Sequence, residues 1–249
     1  MNELAEALDR LLGDACTPAQ VRAIERGAAP DALWRLLEQS GFLDALVPEA
    51  QGGGGLSLAG AFELFVLQGR HAVPVPMAHA MVARALGADE LPRELGAVVT
   101  AAQIVGALER VLELTLAFAN QRVQFGRPIA KFQAIQHQLA VMAEQVAAAR
   151  MAAQLGCQCE GLQPDRLRAA VAKSRCSEAA AIVAPMAHAI HGAIGITAEL
   201  DLQLHTRRLH VWRLEYGSET AWHRVLGQAV LDAPETLSLD FMRRALIPG

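Results

Sequence analysis

Apolar residues recur at helical spacing through five successive stretches, Val98 to Asn120, Ile135 to Cys157, Arg166 to Ile190, Ala198 to His210 and Glu219 to Leu231. No stretch between them alternates convincingly as a strand would, so the chain is expected to be all-α. Hydrophobic residues make up 53 % and aromatic residues only 4 %. The apolar weight therefore comes from Ala, Leu and Val, which suits closely packed helices. Short connections between long helices predict neighbours packed antiparallel in a bundle.

Ahead of the bundle, helical spacing recurs from Glu3 to Leu12 and from Asp31 to Ser40, where Gly41 stops it. A glycine run, Gly52 to Gly55, then precedes a third helix, Leu58 to Leu67, and a short one follows from Met77 to Leu86. A glycine run can wrap a phosphate, but this one lacks the Lys-Ser/Thr of a P-loop and follows no strand, so a turn between helices is expected. The breaker-rich stretch Gly87 to Pro92 marks the boundary between two domains, 1–92 and 93–249.

The net charge of -4 leaves no broad basic field, which argues against a nucleic-acid partner. No uninterrupted apolar run long enough to cross a bilayer is apparent, and the N-terminus has the character of an acidic amphipathic helix rather than a signal peptide. A cytoplasmic protein is expected, with Cys16, Cys157, Cys159 and Cys176 as reduced thiols. One residue between Cys157 and Cys159 is poor zinc spacing, so no metal site is expected.

Arg122 stands just beyond a helix end, followed by Phe125, Gly126, Pro128, Ile129 and Gln133. A guanidinium fork beside the amides of a glycine turn suits phosphate oxygens, and the Phe125 ring could flank an adenine or ribose; the plain alternative is a solvated helix-terminal charge. A second glycine turn, Gly192-Ala193-Ile194-Gly195, lies between helices, with His188 and His191 beside it as capping or packing groups. His205 and His210 are placed with Arg207, Arg208 and Arg213 on a basic face, either solvated or facing an anionic group.

These segments, with Glu215-Tyr216-Gly217-Ser218 and the Val47-Pro48-Glu49 stretch near the front, resemble the acyl-CoA dehydrogenase family over nearly the whole chain. What is missing, between Leu91 and Ala101, is the antiparallel β-domain that carries most of that family's contacts to the flavin ring. The resemblance implies an N-terminal helical domain on a C-terminal antiparallel bundle, and FAD as a cofactor shared between chains. Arg122, Phe125 and Gln133 would contact the ADP half of a partner's FAD, Gly192, Ala193, Ile194 and Gly195 would line its adenosine side, and Ser218 would also touch the cofactor. Ala189, Ala193 and Ile196 depart from the family's Gln, Gly and aromatic at those positions.

The family removes an α-proton from an acyl-CoA thioester with a Glu and passes a β-hydride to the flavin. Here Tyr216 occupies the position of that Glu, Glu215 stands one residue earlier, and the base position some members use ahead of the Arg motif falls on Gly96. Neither base position is filled. The resemblance thus implies a subunit that completes FAD sites on a full-length partner, of the kind known in bacterial enzymes that shorten sterol side chains or other bulky acids. Two alternatives are a self-assembling scaffold with the same fold and an enzyme using Glu215 or Tyr216 in a rebuilt site. Association with itself or with a partner is expected, because the missing domain leaves apolar helix faces to cover.

Overall fold

A computed structural model describes residues 3–234 and 237–246, and among these the fold is a helical bundle with a single two-residue hairpin. Three helices open the chain: α1 (Glu3–Ala15), α2 (Pro18–Glu25) and α3 (Asp31–Gln39). α1 buries Ala5, Leu8 and Leu12, one stripe at helical spacing. α2 was not among the expected helices; it is set by a Thr17–Gln20 capping box with Pro18 in the first turn. α4 (Phe62–Arg70) starts four residues later than the spacing suggests, and α5 (Met77–Leu86) falls where expected.

The long elements are α6 (Arg93–Gln121), α7 (Gln133–Cys157) and α8 (Arg166–His191), followed by α9 (Leu202–Trp212), α10 (Glu219–Leu231) and a further helix, α11 (Ser238–Leu246). α7 runs antiparallel to both its neighbours: the would-be Cβ of Gly156 at its end faces Val98 near the start of α6 and Ala172 near the start of α8. α6 is the central element. Between Leu95 and Leu108 every residue but Gln103 is buried, as befits a helix surrounded by others. One hydrophobic cluster runs from Ala5 in α1 to Leu209 in α9.

α4 and α6 cross in unusually close contact. A Cβ on Gly106 would lie 1.8 Å from the Val66 oxygen, and one on Gly69 would lie 1.9 Å from the Gln103 oxygen. Each helix thus offers the other a residue without a side chain.

Two stretches, Arg93–Gln121 and Arg166–Ile196, are long and apolar enough to cross a membrane by length and composition, although both are interrupted by charged residues and by Gly or Pro. For the first, 78 % of the apolar window is buried inside the protein, the environment of a core helix.

His205 corrects an expectation. It is buried, not part of a basic face, and its Nδ1 has no hydrogen-bond partner among the described residues. Burial, with Arg110 and Arg208 nearby, pushes its pKa down to about 3. In the unfolded chain it takes up a proton near pH 6.5, so stability falls as pH drops from 6.5 toward 3. At pH 5 the cost is about 2 kcal/mol. Denaturant unfolding at pH 7 and pH 5 should show this loss, and His205→Gln should show less of it.

Candidate functional site

The hairpin that follows α6 is built from β1 (Val123–Gln124) and β2 (Arg127–Pro128), with Gln124 opposite Arg127. Phe125 and Gly126 at its tip have φ of 51° and 79°, the left-handed pair of a two-residue turn matched to strand twist. Gly tolerates that conformation; Phe does not readily. The Phe125 ring is 92 % exposed, edge-on to Phe132 at 6.0 Å, and Phe132 is in turn covered by the Arg127 guanidinium at 4.3 Å.

Arg122 ends α6, its amide bonded to the Phe118 oxygen at 2.8 Å, and its own oxygen accepts from the Ile129 amide at 2.8 Å. The main chain there is therefore fixed, while the exposed guanidinium has no hydrogen bond or ion pair among the described residues. Gln133 opens α7, the helix that follows the hairpin, and is exposed.

One turn before Arg122, the Phe118 ring stacks on His191 with centroids 4.4 Å apart. His191 closes α8, and Gly192 follows it at φ 66° and ψ -150°, a conformation that calls for glycine. Gly192, Ala193 and Ile194 are exposed, and Gly195 is buried against His191. The stack thus brings the Arg122 motif and the Gly192 turn, some seventy residues apart in the chain by simple count, to one end of the bundle. His191 donates through Nδ1 to the Ala187 oxygen at 2.8 Å, and His188 Nε2 pairs with the Thr206 hydroxyl at 3.0 Å. Burial lowers the pKa of both rings.

The other end of α6 holds a cavity of about 730 Å³, lined in part by Gly96, Gln103, Val211, Trp212, Glu215 and Tyr216. Sequence reasoning did not find it, because its walls come from segments more than a hundred residues apart. The two places where the resemblance puts a base meet here: a Cβ on Gly96 would lie 2.2 Å from Tyr216 Cε1. Tyr216 has φ 55°, and its carbonyl accepts from Arg93 Nε at 3.3 Å. Arg93 also lies 4.3 Å over the ring of the fully buried Trp222. Burial, then Glu215, raises the Tyr216 phenol. Glu215 lines the cavity and is exposed, and partial desolvation lifts its carboxyl, opposed by Lys173. Ser218 caps α10, its hydroxyl accepting from the Ala221 amide at 3.4 Å.

Ser218 is therefore not brought together with Arg122. Gly96 and Arg122 stand 26 residues apart on one helix, about 39 Å at 1.5 Å per residue, further than one dinucleotide spans. The glycine run at 52–55 is a turn. The amides of Gly53, Gly54 and Gly55 bond to the oxygens of Pro48, Asp44 and Val47, which leaves none of the three for a phosphate.

Residues 94–231 match the sequence profile of the acyl-CoA dehydrogenase C-terminal domain. The acyl-CoA dehydrogenase IpdE2 of Mycolicibacterium smegmatis is 41 % identical over 125 residues, 50 % of this chain and 39 % of that protein. The short-chain-specific acyl-CoA dehydrogenase of Megasphaera elsdenii is 34 % identical over 137 residues, 55 % of this chain and 36 % of that one. The match thus spans well under half of these relatives. Among solved structures, a chain of the ChsE4-ChsE5 complex from Mycobacterium tuberculosis superposes with a TM-score of 0.83 at 18 % identity, over 94 % of this chain and 99 % of that one. The Tcur3481-Tcur3483 steroid ACAD gives 0.82 at 20 % identity, over 92 % and 97 %. At such identities the likeness is one of fold, and it extends over almost the whole of both chains.

Proposed function

Since this chain belongs to the acyl-CoA dehydrogenase family, we propose that it is a subunit of a heteromeric acyl-CoA dehydrogenase and completes the ADP side of an FAD site held largely by a full-length partner. One observation carries this reading. The Arg122 guanidinium and the Phe125 ring are presented outward from a rigid hairpin and helix end, with no partner for the guanidinium among the described residues. A free cation at a fixed main chain, next to an exposed aromatic and a glycine turn, matches the chemistry of an adenosine diphosphate.

The chain's own residues fit only that half of the cofactor. At the cavity end, about 39 Å away, stand Tyr216 and Gly96 in place of a carboxylate, and among the described residues no β-domain covers the opening. When bound, FAD supplies the hydride acceptor of the family's reaction. Arg122 would hold the diphosphate, Phe125 would flank the adenosine, and Gly192 to Gly195 would let the main chain approach it. The partner would contribute the base. The likeness to a structure described as a steroid ACAD supports a bulky, sterol-derived acyl-CoA as the substrate class.

A scaffold without catalytic part is the second reading, favoured by the two unfilled base positions. Absorption spectra separate the two. The isolated chain should be colourless, and co-expression with a full-length acyl-CoA dehydrogenase subunit should yield a yellow complex that reduces an electron acceptor with acyl-CoA. Stoichiometric flavin on the isolated chain would overturn the proposal. A stable complex with no change in the partner's flavin content or turnover would favour the scaffold. Tyr216→Phe should leave turnover of the complex within a few-fold, measured as steady-state rate.

A further inference from the structure

We propose that Lys173 is a positioning residue for the cavity wall: by donating to the main-chain oxygens of Arg213 and Gly217 at once, it clasps the turn between α9 and α10 and keeps the Tyr216 ring over Gly96.

Lys173 lies in α8 and is completely buried. Its ammonium reaches the Ser177 hydroxyl at 2.9 Å, the Arg213 oxygen at 2.8 Å and the Gly217 oxygen at 3.1 Å. Three donors meet three oxygens, so the group is saturated. Arg213 follows the last residue of α9, where carbonyls lack helical partners and the helix dipole is negative. Gly217 closes the turn at φ 110°. The three residues between, Leu214, Glu215 and Tyr216, are thus held at both flanks from one point.

A saturated ammonium surrounded by neutral oxygens is a poor way to stabilise a core. Burial disfavours its charge, lowering the pKa to about 8, and an apolar side chain of similar length would fill the same space without that cost. The contacts make sense as a tie. Tyr216 needs one, because its left-handed backbone is unfavourable for an aromatic residue and persists only where the surroundings impose it. Arg93 supports the same turn from α6, Glu219 is engaged by Arg213, and Glu215 acts on Lys173 through charge alone, with no hydrogen bond to it. The inference holds whichever chain carries the flavin.

Tyr216 is the only tyrosine in the sequence, so tyrosinate absorbance reports on this ring alone. In the wild-type chain its titration should lie above the ordinary value of about 10. In Lys173→Met it should move down toward that value, and amide exchange across residues 213–218 should accelerate several-fold, while the helical circular dichroism signal is kept. With its pKa lowered to about 8, Lys173 is already neutral where the phenol ionises, so its replacement removes no charge there and the shift reads the surroundings of the ring. A titration that stays or moves up in a folded Lys173→Met chain overturns the proposal. If that variant does not fold, Lys173→Ala, which asks the core to accept nothing in place of the ammonium, is read by the same two outcomes. Ser177→Ala removes the hydroxyl's own 3.3 Å contact to the Arg213 oxygen but leaves both carbonyl contacts of Lys173, and should titrate as wild type; a downward move there would overturn the proposal by showing that the hydroxyl holds the turn.

Discussion

Gly106→Val should leave the protein insoluble, and Gly106→Ala should lower its unfolding free energy by at least about 3 kcal/mol. A helix-interior glycine ordinarily costs about 1 kcal/mol relative to Ala, so propensity alone predicts a gain. The surroundings reverse the sign. The new Cβ would meet the Val66 oxygen at 1.8 Å and the Arg70 nitrogen at 2.8 Å, both main-chain atoms of α4 that cannot rotate away. Relief requires the two helices to separate along their length, which opens voids around the buried Phe65 and Val66. Against a typical net stability of about 5–15 kcal/mol, that is a large fraction. Gly227 in α10 is the matched control: nothing lies within 4 Å of its would-be Cβ. Gly227→Ala should raise stability by up to about 1 kcal/mol. Denaturant midpoints of the two Ala variants should therefore move in opposite directions.

The second large effect is on cofactor retention in the complex. Arg122→Ala should weaken FAD binding by one to two decades, because loss of a charge-assisted contact to phosphate is worth about 1.5–3 kcal/mol. The main chain at Arg122 is pinned by Phe118 and Ile129, so truncating the side chain should leave the hairpin in place and the effect confined to the ligand. Fluorescence of released FAD against dilution measures it. Equal retention by wild-type and Arg122→Ala complexes would remove the diphosphate role from this residue.

The long helices were legible because their periodicity runs for many turns, and α5 and α10 were recovered to their end residues. α2 was missed because an eight-residue helix that buries only Val21 offers no period to detect; its signal was the capping box at Thr17 and Gln20. Two-residue strands are too short to alternate, and the hairpin turn was hidden because Phe125, not glycine, takes its first left-handed position. His205 was misplaced since its neighbours Arg207 and Arg208 are charged, yet it faces inward from the same helix. The motif residues at Arg122 and Gly192 were visible in the chain, but their meeting depends on the Phe118–His191 stack, and that of Gly96 with Tyr216 on tertiary packing. Local pattern carries neither.

The contact between Gly96 and Tyr216 also constrains how this chain can change over generations. With the aromatic ring lying where a Cβ would be, 2.2 Å away, a carboxylate installed at position 96 has to displace the Tyr216 ring from its seat. The reverse order is open, since replacing Tyr216 by a smaller residue first vacates the space. The two sites are therefore epistatic in sign: a Glu at 96 is harmful on the present background and tolerable on the altered one. A base on α6 is therefore reached most directly through a first change on the turn 120 residues downstream.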